Sequence, residues 1–235
     1  MMTREDEHMD GNQNIFKGFP RGIKEFLENL KFCNTMEAQT ENIVEYKRLI
    51  TEPLGLLYEA LLPTVNKISD RLETKKQRCV SSPYTDRRFS PKAPLKEYVY
   101  IRFRQYGKDE NVPSVYFDMG ADYYSYGLWI FKRTPAGMNA LRNGIMLSPG
   151  KYTSALDTAL SAGLAIGGDS YKKDHFPEMP DSPLKSLLNR KQFYIGRDFP
   201  VGENIYTAAF ADEIAAAFTA LGEFLNLLED ETFCL

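Results

Sequence analysis

Apolar residues recur along this chain with two different periods, and the change of period divides it into helices, then strands, then helices. Ile23, Phe26, Leu27 and Leu30 fall at i, i+3, i+4 and i+7, one face of a 3.6-residue repeat, so a helix is expected after Phe19-Pro20. A second is expected over residues 36–50, with Ile43, Tyr46 and Ile50 on one side. Pro53 opens a third, since its missing N–H is not needed in a first helical turn. Leu54, Leu57, Tyr58 and Leu61 repeat the helical spacing, and Pro63 is expected to end or bend this helix.

The period then falls to two. Val99, Ile101 and Phe103 alternate with Tyr98, Tyr100, Arg102 and Arg104, the clearest strand in the chain. Gly107-Lys108-Asp109-Glu110-Asn111 supplies turn residues. Two further β-rich runs follow at 114–119 and 123–131, divided by Gly120-Ala121-Asp122. Sequential strands with short links favour an antiparallel meander. Thr134-Pro135, Ser148-Pro149 and Ser182-Pro183 each place a capping residue before a proline, which marks helix starts. Residues 191–195 have the composition of one more strand. Phe210, Ile214, Ala217, Phe218, Leu221, Leu225 and Leu228 line one face of a long last helix. The expected fold is therefore α+β: an antiparallel β-meander packed with N-terminal helices and a long C-terminal helix. Residues 1–14 are polar and without period, so a mobile leader is expected there, with one domain over 15–235.

Composition narrows the function more than it names it. A net charge of -3 and a pI near 5.6 argue against bulk coating of nucleic acid. No apolar run approaches the ~18–20 residues that span a bilayer. The N-terminus carries no apolar stretch of the secretory kind, so a cytoplasmic setting is expected. Three sparse cysteines, Cys33, Cys79 and Cys234, form neither a disulfide framework nor a zinc pattern. The two histidines, His8 and His175, leave little to build a metal site from, and no cofactor or metal is expected. Phosphate-loop and nucleophile-elbow motifs are missing, and Gly167-Gly168-Asp169 reads as a turn. No residue pattern sets an oligomeric state.

Charge is distributed unevenly. From Arg71 to Lys108 eleven Lys and Arg stand against three acids, a net of +8, while no Lys or Arg follows Arg197. One reading is mutual neutralisation of the basic stretch by the acidic C-terminal helix. The other is an anion pocket. Residues 81–96 hold Arg87, Arg88, Lys92 and Lys96 among hydroxyls and prolines, and the following strand adds Arg102. Arginine presents a rigid fork of donors that suits phosphate or carboxylate, and proline lowers the entropy lost on ordering a loop. A small anionic ligand would then meet charge from Arg87, Arg88, Lys92, Lys96 and Arg102, a hydroxyl from Ser90, and a flat wall from Tyr98 or Tyr100. The aromatic run Tyr123, Tyr124, Tyr126, Trp129 and Phe131 reads first as sheet packing. Base or sugar stacking enters if Tyr98 and Tyr100 share a face with Arg102. Two other functions stay open: a non-enzymatic protein-interaction module docking through the basic loop, and a hydrolase or transferase using Asp86 or His175 as base, with Asp174 placed to orient the imidazole.

Gly18-Phe19-Pro20 with Phe26-Leu27, the core Asp86-Arg87-Arg88-Phe89-Ser90 with Pro94-Leu95-Lys96, and Pro183-Leu184-Lys185-Ser186-Leu187-Leu188 before Lys191-Gln192-Phe193 together resemble a bacterial family known as domain of unknown function 2461. The likeness runs from about residue 16 to the last helix. It departs from the family pattern where an Asp-Lys pair would follow Ser90 and where a Trp-Phe pair would stand in the second helix, as in a divergent branch. The resemblance implies a compact α+β fold and a cytoplasmic bacterial setting, and implies no activity.

Overall fold

The computed structural model describes residues 15–84, 94–106, 111–131 and 134–233. The expected leader, the turn residues 107–110, and Asp86, Arg87, Arg88, Ser90 and Lys92 lie outside the described residues.

Helices α1 (Ile23–Phe32) and α2 (Met36–Tyr46) come first. The Thr35 hydroxyl caps α2 by accepting the Ala38 N–H. Contrary to the expected break before Pro53, the chain stays helical through a π turn over Lys47–Thr51 into α3 (Glu52–Ile68). The Glu52 N–H bonds back to Lys47, and this wider turn admits Pro53 without interrupting the path. Pro63 does not end α3 either. It is solvent-exposed, while Leu61 and Val65 on either side are fully buried and hold the helix to the core. A short turn, α4 (Lys76–Cys79), leads towards the sheet.

The strands are β1 (Val99–Arg104), β2 (Val112–Met119), β3 (Tyr123–Phe131), β4 (Ala165–Gly167) and β5 (Tyr194–Pro200). They lie in the order β1-β2-β3-β5-β4, every neighbour antiparallel. The meander β1-β2-β3 is the one the alternation predicts. The strand expected at 191–195 begins later, at Tyr194, and runs to Pro200.

Between β3 and β4 come α5 (Pro135–Leu147) and α6 (Pro149–Ser161), and α7 (Pro183–Leu188) precedes β5. Thr134 and Ser182 cap their helices through the side chain, at 3.1 Å to Gly137 N–H and 3.2 Å to Lys185 N–H. Ser148 makes no side-chain cap; its carbonyl accepts the Lys151 N–H instead.

The long α8 (Ala209–Phe233) follows a 3-10 turn at Glu203–Tyr206. Its apolar stripe, Phe210, Ile214, Phe218, Leu221, Phe224 and Leu225, is buried against one face of the sheet and against α3 and α6. That inner sheet face is Val99, Ile101, Phe103, Val115, Phe117, Tyr124, Tyr126, Leu128 and Ile195. Side chains alternate across a strand, so Tyr100, Arg102, Tyr116, Asp118, Trp129 and Tyr194 are committed to the opposite face.

Candidate functional site

Register decides what meets on that outer face. Tyr100 lies opposite Asp118, and Arg102 opposite Tyr116. Across the next strands Tyr116 faces Gly127, which faces Gly196, while Ser114 faces Trp129, which faces Tyr194. A cavity of about 220 Å³ opens here, lined by Arg102, Tyr116, Asp118, Trp129 and Tyr194. Two glycines make room for its aromatic walls. A Cβ at Gly196 would lie 3.2 Å from the Tyr116 hydroxyl, and one at Gly167 only 2.1 Å from the Tyr194 ring.

Arg102 is the polar centre of the site. Its Nη2 donates to Asp118 Oδ1 at 3.1 Å. Its guanidinium carbon sits 4.1 Å from the Tyr100 ring centroid and 5.8 Å from that of Trp129, within cation–π range of both. Its Nε is buried and finds no acceptor among the described residues. Lys96 Nζ lies over the same Tyr100 ring at 5.2 Å, and Tyr98 stacks on Tyr100 at 6.5 Å.

The titratable groups carry the strain of this setting. Burial raises the Asp118 carboxyl above its ordinary range; Arg102 pulls the other way and Asp198 adds to the rise. Burial, and then the charge of Arg102, lower the Lys96 ammonium. Burial drives the Tyr116 phenol upward, so it stays a neutral donor and acceptor.

Four of the residues singled out in the sequence, Lys96, Tyr98, Tyr100 and Arg102, are thus brought together. Tyr100 lies against Arg102 and Tyr98 stacks on Tyr100. His175 is not among the lining residues. It is exposed, its ring 4.4 Å from that of Tyr171 and its backbone N–H bonded to Asn189. Asp174 does not orient it. That carboxylate accepts from the Phe176 N–H, Lys185 and Asn189, which together pull its pKa down to about 2.

Part of the basic stretch is neutralised locally: Arg71 pairs with Asp230 of α8 at 2.6 Å, and Arg78 with Glu73 at 2.7 Å. Lys96 has no ion-pair partner among the described residues.

Tyr116, Asp118, Trp129 and Tyr194 were missed as site residues. The signal for Asp118 was present, since a lone carboxylate inside the apolar run Val115-Tyr116-Phe117-Asp118-Met119 needs a partner. The aromatic run of β3 is divided by the pleat: Tyr124 and Tyr126 belong to the core, Trp129 to the cavity.

Among the described residues no group of three or more His, Cys, Asp or Glu is arranged to hold a metal ion, and no helix is long and apolar enough to cross a membrane. No curated protein matches the chain. The sequence model of a family described as conserved hypothetical protein (DUF2461) matches residues 23–226, and the chain belongs to that family.

Proposed function

We propose that the protein binds a small flat ligand carrying a carboxylate or phosphate in the cavity on the outer face of the sheet. The observation that carries this reading is Arg102. A guanidinium held between aromatic rings, with a buried Nε lacking an acceptor, is an incomplete hydrogen-bonding group at the wall of an open cavity. Lys96 and Arg102 put two positive charges over the Tyr100 ring. An anion would relieve the desolvation of Lys96, and the rings of Tyr116, Trp129 and Tyr194 suit a planar body. Arg87, Arg88, Ser90 and Lys92, outside the described residues, stay candidates for further anion contacts.

Trp129 is the only tryptophan, so its emission reports on the cavity directly. The test titrates phenyl phosphate, phenol and inorganic phosphate against Trp129 fluorescence and melting temperature. Phenyl phosphate should quench Trp129 and stabilise the fold by mass action, about 2.7 kcal/mol at a hundredfold excess over Kd. Arg102→Leu should abolish the effect, and Arg88→Ala should weaken it. Phenol binding as tightly as phenyl phosphate would remove the anionic requirement, and no response to any probe would remove the ligand site.

A further inference from the structure

We propose that the flat part of the ligand is a heterocycle presenting a ring carbonyl beside a ring N–H, as a pyrimidine or purine base does, with Asp118 accepting from the N–H and Arg102 donating to the carbonyl. This rests on the reading of the cavity as a ligand site and specifies what that site selects.

The argument starts from the Arg102–Asp118 bond. It engages Nη2 on one side and Oδ1 on the other. Asp118 Oδ2 accepts no hydrogen bond from a described residue, and Arg102 Nε donates none. Both side chains line the cavity. The pair therefore leaves one acceptor and further donors without a partner among the described residues, the complement of a ring edge with one donor and one acceptor. A plain phenyl ring would set C–H groups against Asp118 Oδ2 and leave that oxygen without a partner, so it should bind more weakly than a ring that donates there. Discrimination by a built polar edge of this kind is strong, because the wrong ligand strands a polar group of the site.

The walls and the size agree. Tyr116, Trp129 and Tyr194 give π faces, on which any base stacks. About 220 Å³ holds a single ring system with its substituents. The negative charge of Asp118 keeps a second anion away from the ring edge. The ligand's phosphate or carboxylate accordingly belongs at Lys96, whose ammonium lies over the same Tyr100 ring as Arg102.

The test uses uridine 5′-monophosphate, its N3-methyl derivative and phenyl phosphate with the full chain, read by Trp129 fluorescence and by melting temperature. The two nucleotides differ only at the N–H that Asp118 would accept. Uridine monophosphate should bind about tenfold or more tighter than the N3-methyl compound, the worth of one hydrogen bond to a charged group. Asp118→Asn should weaken uridine monophosphate by about tenfold and tighten phenyl phosphate, because with its oxygen kept on Arg102 the amide puts an NH2 donor where Oδ2 accepts, and the negative charge is lost. A purely structural role for Asp118 would move both probes in the same direction. If Asp118→Asn fails to fold, the comparison of probes on the unaltered protein still decides. An oligouridylate that binds tighter than the mononucleotide, with steep salt dependence, would identify a strand as the source of the base; equal or weaker binding would identify a free nucleotide. Equal affinity for uridine monophosphate and its N3-methyl derivative, with phenyl phosphate still bound, would overturn the heterocycle and leave the ligand site standing. No binding of any probe would overturn both.

Discussion

The hydroxyl of Tyr116 reaches across two strands to lie over Gly196, where a Cβ would stand 3.2 Å from it. The same Cβ would come within 2.7 Å of the Tyr126 carbonyl oxygen in β3. Backbone at that distance cannot move aside without opening the β3–β5 pairing. Gly196→Ala should therefore cost about 1–3 kcal/mol, as overpacking of a tight interior does. For a chain of this size each kcal/mol lowers Tm by about 2–4 °C. The Trp129 emission should shift as well, because the Tyr116 ring beside it is displaced. An unchanged Tm would mean that the two strands are not spaced as described.

A second prediction concerns the polar group on the opposite face. Glu213 of α8 accepts from the Tyr126 hydroxyl at 2.9 Å and from Asn204 Nδ2 at 3.1 Å. One carboxylate thereby ties β3 and the 3-10 turn to the start of the last helix. Tyr126→Phe keeps the ring and its tilted contact with Phe199, 5.3 Å away, but removes the donor. The loss should be about 1–2 kcal/mol, the cost of a bond to a charged group in partial solvent. Urea denaturation checks it, with no change in the slope m expected because the surface exposed on unfolding is the same.

How much of this was legible in the chain depended on whether the signal was local. The alternation of Val99, Ile101 and Phe103 is a property of seven residues and fixed β1 and its two faces. The stripe of α8 is equally local. What could not be read was which strand lies beside which. Trp129 meets Tyr194 across 65 positions, and only that pairing makes a cavity of residues that look like sheet packing when taken alone. Three-residue β4 has no pattern to detect, and β5 is legible only at its start because Arg197 and Asp198 fall in its exposed part. Of the two outcomes expected at Pro63, an end or a bend, the end does not occur, for a tertiary reason: Leu61 and Val65 around it are buried. The basic loop Arg87 to Lys92 lies outside the described residues, whereas Arg102 lines a cavity whose other walls come from later strands.

Gly18 illustrates a motif residue whose reason is physical. Its φ is +106°, and an added Cβ would lie 2.2 Å from the Tyr206 carbonyl carbon. The chain passes this point because Phe19 must reach the core, where it packs against Phe16, Phe117 and Phe210 and bonds through its N–H to the Ile205 carbonyl at 2.8 Å. Gly18→Ala combines backbone strain of about 1–3 kcal/mol with a clash against main chain. The expected loss is at least about 3 kcal/mol, seen as a large fall in urea midpoint. Alanine at the exposed Gly150, which meets nothing within 4 Å, is the control and should leave the midpoint nearly unchanged.

The last prediction is a pH dependence with a definite sign. Glu229 of α8 is buried at 1% exposure and accepts from the Ser69 hydroxyl at 2.8 and 2.9 Å. Burial raises its pKa above the ordinary 4.5; Ser69 and Arg71 pull it down, while Asp70 and Asp230 push it further up. Arg71 is itself committed to Asp230 at 2.6 Å, which limits what it offers Glu229. Since the folded value exceeds the unfolded one, the native state binds more protons between the two. Stability contributed by this group is therefore present below about pH 4.5 and falls as pH rises through the folded value. Glu229→Gln is neutral at every pH and keeps an oxygen for Ser69. It should be more stable than the parent at pH 7, and that advantage should shrink towards pH 4. Comparing the pair cancels carboxylates that act the other way, such as Asp174 with its pKa near 2. Denaturant melts of both proteins at pH 7, 5.5 and 4 give the difference directly. A Gln variant that is less stable at pH 7 would mean that the hydrogen bonds of Ser69 and the field of Arg71 outweigh burial, and that Glu229 contributes to the fold as an anion.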